Sequence, residues 1–167
     1  LMTIRPLSIL PAPVLRKLAA PVKTVDDDIR QLMDDMLETM RHEQGLGLAA
    51  PQIGVSLQVI VMDCSDDNDP EPMIWKMANP EIMAASDDTA SMEEGCLSIP
   101  GYRGEVTRPA EVEVKFLDGR GTGPIPKDAP RRDLQSHKVS LKTALYGPRC
   151  GRKTIRKMEA GSGATGP

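Results

Sequence analysis

Aromatic side chains are scarce: Trp75, Tyr102, Tyr146 and Phe116 are the full set in 167 residues. A core must therefore be filled by aliphatic residues and the ten methionines, whose flexible thioethers adapt to irregular gaps. Cysteine is sparse and odd in number (Cys64, Cys96, Cys150), which argues against a disulfide framework and for a reducing compartment, the cytoplasm. No apolar run approaches the roughly 20 residues of a membrane helix. The first residues lack the charged-then-apolar order of a secretory signal, so no membrane partner is expected. Histidine is nearly missing too, with only His42 and His137.

What is present suits one globular domain: 40% hydrophobic and 27% charged residues, in a length that buries one core and not two. The net charge of −3 hides an asymmetry. Residues 1–117 carry 10 Lys+Arg against 20 Asp+Glu, whereas residues 118–167 carry 11 against 4. A basic tail can bind nucleic acid, but this one lacks interleaved aromatics and any recognised module. No specific nucleic-acid partner is expected.

Prolines 6, 11, 13 and 21 make the opening extended or looped, with room for one short helical turn. Ile29, Leu32, Met33, Met36, Leu37 and Met40 then recur as one stripe at the helical period. Thr24 is a candidate cap, and Asp26 to Asp28 suit the positive end of the helix dipole. Gln58–Asp63 is a short apolar run of strand length, and a further extended piece is expected around Met77 to Ile82, broken by Pro80. Glu111–Leu117 alternates strictly, as in a half-buried antiparallel strand. After Leu117 the glycines 119, 121 and 123 and prolines 124, 126 and 130 erase the patterning, and Gly161–Pro167 reads as disordered. The expected architecture is α+β: one domain of mixed or antiparallel strands around a long helix, with a core over 1–117 and a divergent tail over 118–167.

Two segments carry chemistry. Gly45-Leu-Gly-Leu-Ala-Ala-Pro-Gln-Ile-Gly54 leaves backbone unshielded, which suits either a ligand or a tight turn into a strand. It is not a phosphate loop, because no Lys-Ser/Thr follows. Glu93-Glu-Gly-Cys-Leu-Ser-Ile-Pro100 holds Cys96 after a glycine, and a lone cysteine is commonly just a small buried hydrophobe.

Together, Gly-x-Gly-x-Ala-Ala-x-Gln and Glu-Gly-Cys-Leu-Ser resemble the first two signature motifs of the peptide deformylases. Val14-Leu-Arg16, the helix before Gly45, Ile99-Pro-Gly-Tyr-Arg103 and Arg108-Pro109 are also similar to that family, so the resemblance spans roughly residues 3–117. It implies that Cys96 is a thiolate metal ligand. It implies that Gln52 and the backbone N–H of Leu97 stabilise the oxyanion. It implies that the backbone at Gly45, Leu46, Gly47 and Gly95 pairs with an extended peptide. Glu94 would be a structural partner at the substrate cleft, and Arg103 would contact the substrate or orient the site. The metal implied is Fe²⁺, with Zn²⁺, Ni²⁺ or Co²⁺ as substitutes, and the partners are N-formylmethionyl peptides and the ribosome exit region.

The third family motif, His-Glu-x-x-His, has no counterpart here. Leu134-Gln-Ser-His-Lys-Val-Ser-Leu-Lys-Thr-Ala-Leu-Tyr146 keeps only its framing residues, which makes His137 a second candidate metal ligand. His42 precedes the first motif and is expected to face solvent. The function implied is a metallohydrolase that removes the formyl group from the N-terminal methionine of nascent polypeptides. The alternative is a catalytically impaired relative that has lost the metal site, or carries a frameshifted C-terminus, and at most binds N-terminal peptides.

Overall fold

The computed structural model describes residues 3–63 and 74–119, and the backbone of 135–139. The acidic loop Asp66–Pro72, Cys64, Cys150 and nearly all of the tail, including the expected disorder of Gly161–Pro167, lie outside the described residues.

The apolar stripe forms helix α1, Asp27–His42. Its cap is Asp26 rather than Thr24: Asp26 has extended backbone, and its side chain accepts the Ile29 N–H at 3.0 Å. That satisfies one of the donors left open in a first turn. Met33, Met36 and Met40 are fully buried, with Leu32 and Leu37 beside them. The helix also buries two polar residues that periodicity did not single out, Asp35 and Thr39.

Among the described residues seven strands follow: β1 Gly47–Ala49, β2 Val59–Asp63, β3 Ile74–Ala85, β4 Thr89–Cys96, β5 Ile99–Pro109, β6 Val112–Asp118 and β7 Gln135–Val139. β1, β2, β3, β6 and β7 pair in that order as an antiparallel sheet, while β4 and β5 form a separate hairpin. The fold is α+β and a single domain. The segment Gln135–Val139 is a strand beside β6, not part of a helix.

Around β2 the sheet carries apolar side chains on both faces. Val59 and Val61 turn to the methionines of α1 with Leu48, Ala50, Ile53 and Ala78. Ile60 and Met62 turn to a second cluster around Met77, Val114 and Phe116, where Trp75 meets Phe116 edge to face at 6.0 Å. A strand buried on both faces reads as a continuous apolar run, which is how Gln58–Asp63 looked. In β6, Val112, Val114 and Phe116 share one face, as their alternation required.

Pro80 does not end a strand. β3 runs through it by a register shift, with Asn79 in the left-handed region at φ 51°. The Asn79 side chain replaces the lost pairing by accepting the Val22 N–H at 2.7 Å and donating to the Val22 carbonyl at 2.8 Å. The proline-rich opening wraps the domain as an extended strap with one short 3₁₀ turn, Pro13–Arg16.

Candidate active site

Two loops converge at one point. The first leaves α1 as Gly45 donates its N–H to the Met40 carbonyl at 2.8 Å. Gly45 passes so close to the other loop that an added Cβ would stand 2.7 Å from Leu97 Cδ1. β1 then leads into the 3₁₀ turn Ala50–Ile53, which ends at Gly54 with φ 82°, a conformation glycine adopts freely. Leu48 and Ile53 enter the core, and so does Ala50, which does not line the cleft.

The turn presents Gln52. Its Oε1 accepts the Ala49 N–H at 2.9 Å, which leaves Nε2 directed at the second loop. That loop is the two-residue turn Leu97-Ser98 between β4 and β5. Gln52 Nε2 lies 3.7 Å from the Cys96 sulfur and 3.2 Å from Ser98 Oγ. The Cys96 thiol is free and exposed, while Ser98 is buried.

The strap secures both loops from behind. Ser8 donates its N–H to the Gln52 carbonyl at 2.7 Å, and Leu10 donates to the Ser98 carbonyl at 3.0 Å. Its other end is anchored on α1. The Thr3 N–H donates to Asp35 Oδ1 at 3.0 Å, the Arg5 N–H to Thr39 Oγ1 at 2.9 Å, and the Arg5 guanidinium to Asp35 Oδ2 at 3.2 Å. The two buried polar residues of the helix are thus the strap's docking points.

β1 is an edge strand among the described strands. Asp63 donates its N–H to the Leu46 carbonyl at 3.0 Å, so residues 46 and 63 form a bonded pair. Antiparallel alternation then turns the N–H and C=O of Gly47 away from β2, towards the open side. The Leu46 carbonyl is already engaged. Gly95 stands opposite Arg103 in the hairpin, and a Cβ there would lie 3.7 Å from Arg103 Cγ. Arg103 is exposed beside it.

Glu94 is bound within the hairpin. Both its oxygens accept from Arg108, from Nε at 2.6 Å and Nη2 at 2.8 Å. These bonds hold its carboxyl below the usual carboxylate range; partial desolvation opposes them, and the Arg108 charge adds to them. The Glu94 carboxylate is thus committed to Arg108. His137 stands in β7 opposite Val114, at the far edge of the sheet from β1. Four strand spacings of ~4.8 Å separate these edges, so the described backbone does not bring His137 together with Gln52. His42 is exposed and contacts Glu43. Among the described residues no group of three His, Cys, Asp or Glu side chains converges.

The sequence motifs include Ser98 and Arg108 but assign them no role, and they do not reveal the strap contacts of Ser8 and Leu10. The available signal for Ser98 was its place in the same short turn as the candidate ligand.

A carboxamide donor and an exposed thiol at one point, beside an open strand edge, form the kind of cleft in which a peptide-binding amide hydrolase works. The family model "Polypeptide deformylase" matches residues 4–124. A peptide deformylase of Phenylobacterium zucineum is 52% identical over 120 residues, covering 72% of this chain and 70% of that protein. A peptide deformylase of Ehrlichia chaffeensis solved in complex with actinonin is 36% identical with a TM-score of 0.67, covering 72% of each chain. A class I type b peptide deformylase of Acinetobacter baumannii, solved with Met-Ala-Ser bound, is 34% identical with a TM-score of 0.65 over 73% of this chain and 81% of that one. This chain belongs to the polypeptide deformylase family, whose members are metal-dependent hydrolases.

Proposed function

We propose that this chain removes the formyl group from the N-terminal methionine of nascent polypeptides, in the cytoplasm and near the ribosome exit. The reach of Gln52 Nε2 to the Cys96 sulfur carries the reading. An extended N-terminal peptide lies along β1 and pairs with the outward N–H and C=O of Gly47 as an added strand. Its formyl oxygen then meets the Gln52 amide and the Leu97 N–H, two donors aimed where negative charge develops, which together stabilise the tetrahedral state. Arg103, exposed beside Gly95, meets the peptide's polar groups in this reading.

Cys96 is the ligand these residues offer to a divalent ion, Fe²⁺ by the family's habit, with Zn²⁺, Ni²⁺ or Co²⁺ as substitutes. An open catalytic site needs three protein ligands. The described residues supply this one, and the sequence has no His-x-x-x-His to supply the usual other two. A second reading, in which the chain keeps the peptide cleft and holds metal weakly, is one that the similarity to deformylases does not support.

One experiment separates them. The chain is loaded with Fe²⁺ without oxygen, desalted, and assayed for bound metal and for formate released from formyl-Met-Ala-Ser. About one ion per chain, with turnover that falls ~10²–10³-fold in Gln52→Ala, supports the enzyme. Substoichiometric metal and no formate overturn it. Chemical-shift changes at Gly47 on adding Met-Ala-Ser would then establish the peptide-binding reading.

A further inference from the structure

Gln52 can serve as an oxyanion donor only if its amide nitrogen, and not its oxygen, faces the reacting group. A carboxamide on a flexible side chain has no intrinsic preference, so something in the protein must hold it at both ends. One end is fixed by the Ala49 N–H, which requires an acceptor and receives Oε1 at 2.9 Å. The other end meets Ser98 Oγ at 3.2 Å. Ser98 is only 3% exposed, and its carbonyl is pinned by the Leu10 N–H at 3.0 Å. It therefore cannot drift away from the amide.

The proton count completes the case. Nε2 carries two protons. Ser98 Oγ takes one as acceptor, and the second points to the Cys96 sulfur at 3.7 Å, the direction of any group bound there. We infer that Ser98 is a positioning residue: it occupies one proton of the Gln52 amide and thereby aims the other at the reacting atom. It touches neither thiol nor substrate in this role and acts through Gln52. The inference rests on the deformylase reading for its effect on rate, but its geometric content stands without it.

The test has two arms. In the first, the Gln52 side-chain amide is observed by ¹⁵N NMR on the whole chain, assigned by its disappearance in Gln52→Glu. Two well-separated proton signals, one with a cross-peak to the Ser98 β-protons, are expected in the unsubstituted protein. Their collapse towards the pattern of a solvent-exposed glutamine is expected in Ser98→Ala, with recovery in Ser98→Thr. A solvent-like Gln52 amide in the unsubstituted protein overturns the proposal even if Ser98→Ala fails to fold.

The second arm reads formate release from formyl-Met-Ala-Ser by the Fe²⁺-loaded chain. Ser98→Ala should lower kcat about tenfold with KM unchanged, less than the ~10²–10³-fold expected for deleting an oxyanion donor itself. In the Gln52→Ala background the same substitution should change nothing further. Additive losses would mean that Ser98 acts by some other route and would sink the inference. A chain that releases no formate at all counts against the enzyme reading alone, and the NMR arm then decides the role of Ser98.

Discussion

Thr39→Val tests whether the strap is held as the hydrogen bonds indicate. Valine matches threonine in shape, so no cavity opens at a site that is 0% exposed, and helix propensity is nearly unchanged. Two bonds disappear. The bond from Thr39 Oγ to the Asp35 carbonyl at 2.7 Å is a back-bond within a helix and contributes little, because the carbonyl sits in the helical ladder. The bond from the Arg5 N–H at 2.9 Å matters more, since it leaves a partly buried donor unpaired, which costs about 1–3 kcal/mol. At about 2 kcal/mol the melting temperature of a domain this size should fall by roughly 4–8 °C. The urea midpoint should fall with the slope unchanged. Amide exchange gives the sharper readout: Arg5 should lose protection, and Ser8 and Leu10 should follow, because the strap joins them. Thr39→Ser removes a buried methyl and also lowers stability, yet it keeps the oxygen and should leave Arg5 protected. If the valine variant keeps both its melting temperature and a protected Arg5 amide, the strap is held by something else and the reasoning fails.

Further expectations are simple to check. Met36→Ala removes a fully buried side chain and should cost about 2–5 kcal/mol, read as a lower urea midpoint, whereas Met36→Leu should cost under ~1.5 kcal/mol. The Glu94–Arg108 pair predicts a pH dependence. The Glu94 pKa is lowered in the folded state from 4.5, so its contribution is fully present above that value and is lost as pH falls through the folded pKa. Stability should therefore decline on acidification below pH ~4.5, and Arg108→Met should flatten that decline. At neutral pH the variant should lose no more than ~1 kcal/mol, because the guanidinium is largely in water.

The helix and strands β2 and β6 were legible because burial forces a period on them. Ile29 to Met40 could not cover a sheet with any other spacing, and Val112, Val114 and Phe116 could not share a face without alternating. The hairpin of β4 and β5 gave no such signal. Most of its side chains are solvated, so no face imposed an apolar rhythm on Ser91, Glu93, Glu105 or Thr107. Pro80 misled because a lone proline usually ends a strand, whereas here Asn79 absorbs the break with its own amide. Asp35 and Thr39 were invisible because a polar residue within an apolar stripe announces its partner only when the rest of the chain is in place. The meeting of Gln52 with Cys96 could be read from paired motifs but from no local property, since each half alone suits a turn. Ser98 lay within the quoted motif, yet its value depends on which atom it faces.

The strap also sets an order of events. Its residues leave the ribosome before anything they bind, and the Ser98 carbonyl that receives the Leu10 N–H is made only after α1, β2, β3 and β4. During synthesis Leu10 must therefore wait for Ser98, while Thr3 and Arg5 can already dock on α1 and Ser8 on Gln52. Closure of Leu10 on Ser98 joins distant parts of the chain, a slow class of step because loop entropy must be overcome before the contact is gained. The two halves of the cleft are thus locked together late, and a chain halted before residue 98 would carry Gln52 without the partner that aims it.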